Sequence, residues 1–129
     1  MPWPPRKGEL LPRFAEPVGI EEKLRKYALK LSHKDGGPKA NGFLTMLGID
    51  LTAIVYLECQ IRAGIAVNPI STVRPEEADA VGVSVDFRIA GVGRYSHRTA
   101  WVRTVWRFDE PDAQPRFITA IPTGRKRKR

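Results

Sequence analysis

With 129 residues and a formal charge of +8, from 22 Lys and Arg against 14 Asp and Glu, the chain is long enough for one hydrophobic core and too short for two. At 42% hydrophobic and 28% charged it falls outside the disordered and fibrous classes. The apolar runs are short, as in Ile54-Val55-Tyr56-Leu57, so neither a membrane-crossing helix nor a membrane partner is expected.

Residues 1–18 hold five prolines and read as an extended lead-in to a domain spanning 19–122, with 123–129 as a basic tail. Met1-Pro2-Trp3-Pro4-Pro5 lacks the charged-then-apolar order of a secretory signal, which predicts a cytoplasmic protein. From Ile20 an apolar stripe of Ile20, Leu24, Tyr27, Ala28 and Leu31 predicts a helix. Ser32 to Pro38 breaks it with paired glycines, and a second helix is predicted from Pro38 at its first position to Leu47. Asp50 is placed to cap a third, Leu51 to Ala63, which Gly64 would close. Cys59, the single cysteine, lies between Leu57 and Ile61 and reads as a small buried residue without a disulfide partner.

Beyond residue 66 the period changes to two. Val81, Val83, Val85, Phe87 and Ile89 alternate with Gly82, Ser84, Asp86 and Arg88, which predicts a strand. Gly91-Val92-Gly93-Arg94 turns into a second strand, about Ser96 to Phe108. A last one follows from Arg116 to Ile121, and Pro69 to Val73 is predicted as an edge strand. Helices followed by hairpins define an α+β fold, with about three helices on one face of a three- to four-stranded antiparallel sheet.

Such a sheet leaves its other face open. Trp101, Arg103 and Arg107 share one side of their strand, with the two arginines about 13 Å apart. Arg116 or Thr119 on the neighbouring strand could add an anion contact. Guanidinium forks suit phosphate oxygens, and an indole offers a surface for an unpaired base, so the pattern points to single-stranded RNA. The competing reading is a surface ion pair such as Asp86–Arg103. A second candidate is the glycine-softened loop holding His33 and Lys39. There an imidazole could exchange protons, and an ammonium at a helix start could hold an anion. The competing reading is a helix cap with a solvated lysine. His97, after the turn, reads as an exposed hairpin residue. No dinucleotide fingerprint, paired-carboxylate spacing or Cys/His cluster is present, so neither a small-molecule cofactor nor a metal is expected.

Charge is uneven along the chain. Residues 1–79 carry 11 basic and 10 acidic side chains, whereas 80–129 carry 11 and 4. Arg125, Lys126, Arg127, Lys128 and Arg129 form a tail expected to add non-specific phosphate contacts, or to act as a solubilising terminus.

The stretch Tyr27-Ala28-Leu29, His33-x-x-Gly36, Lys39-Ala40, Phe43 and Leu47-Gly48 resembles the start of a small, uncharacterised bacterial domain family with an H-x-x-G-x-x-K-A loop. That family is associated with toxins and phages. Arg98-Thr99-Ala100-Trp101-Val102-Arg103-Thr104-Val105-Trp106 and Pro115-Arg116-Phe117-Ile118-Thr119-Ala120-Ile121-Pro122 are similar to its end, which is close to P-R-L-V-T-A-Y-P. Ile121 stands where that pattern has tyrosine. The order of helices and strands is in turn similar to the barnase, EndoU, colicin and RelE group of ribonuclease toxins. The resemblance implies a metal-independent endoribonuclease leaving a 2′,3′-cyclic phosphate, with His33, Lys39, Arg103, Arg116 and Thr119 as catalytic residues. Arg98, Trp101 and Arg107 would then hold RNA together with the tail, and the implied partner is a small acidic immunity or antitoxin protein. The alternative is a non-catalytic nucleic-acid-binding or phage-type adaptor protein.

Overall fold

The structure is a computed structural model describing residues 3–30 and 37–123. Three helices, α1 (Ile20–Lys23), α2 (Gly37–Leu47) and α3 (Ile54–Val67), precede four strands, β1 (Ile70–Pro75), β2 (Val81–Ala90), β3 (Thr99–Phe108) and β4 (Arg116–Pro122). The strands form one antiparallel sheet in the order β1-β2-β3-β4. The architecture is the expected α+β arrangement.

The period-two sequences place Val83, Val85 and Phe87 of β2, and Val102, Thr104, Trp106 and Phe108 of β3, on one buried face. Against it pack Phe43 and Leu47 of α2 and Leu57, Ile61 and Ile65 of α3, each essentially without solvent contact. Trp106 meets Phe117 of β4 edge-on, with ring centres 5.2 Å apart. Its indole N–H donates to Thr104 Oγ1 at 2.9 Å, and that hydroxyl donates to the Val85 carbonyl at 2.8 Å. Among the described residues, no buried side-chain nitrogen or oxygen lacks a partner.

Three helical expectations are corrected. The first helix is one α-turn followed by a wider turn with five-residue spacing over Leu24–Ala28. The wider turn rotates Tyr27 off the apolar stripe and leaves it 41% exposed. Gly64 does not end α3, which runs on to Val67. It is a close-packing position instead, since a Cβ there would lie 2.4 Å from the Phe87 ring. Cys59 is exposed because Leu57 and Ile61 set the buried phase of the helix and position 59 faces away. Asp50 does cap the turn preceding α3, accepting from Thr52 N at 2.9 Å.

The lead-in is tied to both edges of the sheet. Gly8 N donates to Ile70 O at 2.9 Å and Phe117 N to Val18 O at 2.9 Å, while Leu11 is buried and Trp3 packs edge-on against Phe108. No single described helix is long and apolar enough to cross a membrane.

Gly64→Ala is expected to destabilise the fold by about 1–2 kcal/mol. Overpacking against the buried Phe87 ring outweighs the gain in helix propensity. Urea unfolding measures the loss, and adding Phe87→Leu should recover part of it.

Candidate nucleic-acid interface

Register determines which side chains share the open face. Arg103 stands between Asp86 of β2 and Ile121 of β4, Val105 between Ser84 and Thr119, and Arg107 between Gly82 and Arg116. An irregularity in the β3–β4 register at Val105/Trp106 leaves Ile118 as an extra residue in β4. It allows Phe117 and Ala120 both to face the core while Arg116 and Thr119 both face out.

From α2, Lys39 reaches the edge strand, its Nζ 3.1 Å from Thr119 Oγ1 and part-buried there. It is not the merely solvated lysine of the competing reading. Lys39, Arg103, Arg107, Arg116 and Thr119 therefore gather on the open face and its β4 edge. His33 and the basic tail, with Arg125, Lys126 and Arg127, lie outside the described residues.

The arginines on this face are bound by acids. Arg103 grips Asp86 with two parallel hydrogen bonds of 2.8 Å, Nε to Oδ1 and Nη2 to Oδ2, and both side chains are largely buried. This contact holds the guanidinium pKa above its ordinary value. Arg107 donates to Asp109 and to Glu76, each at 2.9 Å. Arg116 donates to the same Asp109 carboxylate at 3.0 and 3.2 Å. Glu76 also accepts from Arg74 at 2.9 Å. Opposite Arg107, the bare Gly82 makes room, since a Cβ would lie 3.3 Å from Glu76 Oε2.

The clamping roles of Glu76 and Asp109 were missed by sequence reasoning. Their position in the turns flanking the strands was the available signal. Among the described residues no three His, Cys, Asp or Glu side chains gather as a metal ion would require.

Toward the far end of the β2–β3 hairpin the arginines are held differently. The half-buried Trp101 carries Arg88 over its ring, with 5.8 Å from Cζ to the ring centre. Arg98 lies at the turn rather than in a strand, with its Cζ 4.5 Å from the centre of Tyr95, and Arg94 approaches the same ring at 5.1 Å.

Asp109 is held below the usual carboxylate range, chiefly by the Arg116 hydrogen bond and further by Arg107. The unfolded chain therefore takes up this proton at a higher pH than the folded one does. The resulting stability is present above the ordinary carboxylate pKa and is lost as pH falls through the folded value. Asp109→Asn should thus show a smaller drop in urea midpoint than the wild type on acidification from about pH 5 to about pH 2. The difference is below about 1 kcal/mol for so exposed a pair.

No curated protein and no solved structure matches the chain. Residues 10–124, which take in the later part of the lead-in, all three helices and the whole sheet, match the family described as a domain of unknown function, DUF6883, and the chain belongs to that family.

Proposed function

We propose that the domain is a metal-independent endoribonuclease whose open sheet face receives the scissile phosphate. The observation that carries this reading is the placement of Lys39, Thr119, Arg103 and Arg116, from α2, β3 and β4, around one face. The resemblance in the His33 loop and the last two strands supports it. So does the order of helices before a four-stranded meander.

In the proposed reaction the ribose 2′-oxygen attacks the adjacent phosphorus as His33 takes its proton. The P–O5′ bond breaks, and the 5′-oxygen leaves with a proton returned by the enzyme. The products are a 2′,3′-cyclic phosphate and a 5′-hydroxyl. The Lys39 ammonium and the Arg103 and Arg116 guanidinium groups would oppose the extra charge on the five-coordinate phosphate, with Thr119 orienting one of its oxygens. Arg103 can do so while holding Asp86, since its Nη1 is not used in that pair. Arg116 can do so likewise, since Asp109 takes its Nε and Nη2 and leaves Nη1.

A second reading, an RNA-binding or adaptor domain without catalysis, is favoured by the acid-locked state of those arginines. Purified protein in EDTA is expected to cleave single-stranded RNA and leave cyclic phosphate ends. Lys39→Ala and Arg116→Ala should each lower the rate by about 10²–10³, and His33→Ala by about 10²–10⁴. Gel and mass-spectrometric analysis of the products is the check. RNA left intact by the wild type overturns catalysis, and salt-dependent binding without cleavage leaves the second reading.

A further inference from the structure

The twenty-two residues from Phe87 to Phe108 contain five arginines, one histidine and no acid. Arg103 and Arg107 are neutralised by Asp86, Glu76 and Asp109, all from outside that stretch. Arg88, Arg94 and Arg98 are exposed and lie on aromatic rings. Among the described residues none of these three has a carboxylate within ion-pair distance. The hairpin is therefore graded, with charge-compensated arginines at its base and midpoint and, among the described residues, arginines without a carboxylate partner toward its far end.

The far end is also held rigidly. Tyr95 sits in a short helical turn, Gly93–Tyr95, whose backbone is bonded from Val92 N to Leu47 O at 2.9 Å and from Arg98 N to Tyr95 O at 2.9 Å. Its seat depends on two glycines. A Cβ on Gly48, where φ is +68°, would lie 2.7 Å from the Tyr95 ring, and one on Gly91 would lie 2.4 Å from the Tyr95 carbonyl. The two guanidinium groups that share this ring are within about 10 Å of one another. Like charges so fixed are better satisfied by an anion than by water, and little ordering remains to be done when one binds. Beside them an open recess of about 490 Å³ is lined by Leu44, Thr45, Gly48, Val92, Arg94 and Tyr95.

We infer that the tip of the β2–β3 hairpin is a second RNA-binding site, in which Arg94 and Arg98 hold backbone phosphate and the apolar recess beside Tyr95 receives a base. A flat ring beside a mostly apolar recess fits a nucleobase, a planar group that an acidic peptide side chain does not offer. The inference rests on the reading that this domain meets RNA. It adds a strand-holding site distinct from the place of cleavage.

The test follows the arginine Nε–Hε resonances of ¹⁵N-labelled protein, first with pyrophosphate and then with a short oligouridylate. The signals of Arg94 and Arg98 are expected to move and those of Arg25 and Arg62, which pair with Glu21 and Glu58 and belong to neither proposed site, to stay. Arg94→Ala with Arg98→Ala should weaken oligouridylate binding at least about tenfold and flatten its log–log salt dependence by about 1.4, as loss of two phosphate contacts on a single strand requires. The melting temperature should be unchanged, because both side chains are exposed.

Unmoved Arg94 and Arg98 signals, equal movement of all the arginines, or wild-type binding by the double variant each overturn the inference. Tighter binding of an oligoglutamate peptide than of oligouridylate overturns it in favour of an acidic protein partner. RNA cleaved while the tip signals stay still removes this inference alone. Tip signals that move with RNA left uncleaved remove only the ribonuclease reading.

Discussion

The ten residues of β3 alternate so that Ala100, Val102, Thr104, Trp106 and Phe108 are buried while Trp101, Arg103, Val105 and Arg107 stay partly exposed. The other elements are arranged around that division. The inward set is dominated by Trp106, whose bulk fixes the distance at which β4 and the helices can pack and whose N–H must be paired inside the protein. Thr104 supplies the acceptor and donates its own hydrogen bond to the Val85 carbonyl. Losing that hydroxyl would leave a buried donor unsatisfied, a cost of about 1–3 kcal/mol. A threonine among the large inward apolar residues is thus part of the core.

The same alternation makes the open face difficult to build, because it sets cations side by side. Arg107 and Arg116 are directly opposite on neighbouring strands, an arrangement that is destabilising when uncompensated. Asp109, at the end of β3, accepts from both and removes the conflict. Arg103 has its compensation on the other side, in Asp86. The two cases differ in weight. The Asp109 contacts are solvent-exposed and individually worth less than about 1 kcal/mol. The Asp86 carboxylate has only 5% of its side-chain surface exposed, so losing Arg103 would strand a buried charge.

The sheet was legible in the sequence because period-two patterning sets the inward phase of β2 and β3, and Asp50 signalled the turn ahead of α3 through its own side chain. β3 alternates in burial as that pattern predicts, whereas in β2 the other side, with Gly82, Ser84 and Asp86, is buried as well. Where the sequence misled, the cause was a tertiary contact at Gly64 and an irregular helical turn at Tyr27. Gly64 has the composition of a helix stop, yet its missing side chain makes room for Phe87, twenty-three positions away. Tyr27 fits an apolar stripe only if every turn holds 3.6 residues, which the wider turn at Leu24–Ala28 does not. The exposure of Cys59 could have been deduced, since the phase set by Ile54, Leu57 and Ile61 turns position 59 outward. The site was partly legible. Arg116 and Thr119, three apart, belong on opposite faces of a regular strand, and only the extra residue in β4 brings them to one side. Nothing in the local sequence announces that irregularity.

Two populations of arginine thus share one hairpin, and their surroundings give them different tasks. At the base, Asp109 and Glu76 stand against the guanidinium groups of Arg107 and Arg116, so a polyanion there contends with their charge. Part of any phosphate contact is offset by that repulsion. A reacting phosphate gathering charge competes with a carboxylate better than a ground-state phosphate does, which would favour the transition state over simple binding. At the tip, Arg94 and Arg98 give up only the Tyr95 ring, one hydrogen bond from Arg94 to the Tyr95 hydroxyl, and water, which suits them to the proposed task of holding a strand without discriminating between its states. Uniform binding at one end and competitive, charge-sensitive binding at the other is the division the proposed ribonuclease would use. It would follow from where the acids stand: Glu76 and Asp109 near the base, Asp86 midway along the ladder, and none between Phe87 and Phe108.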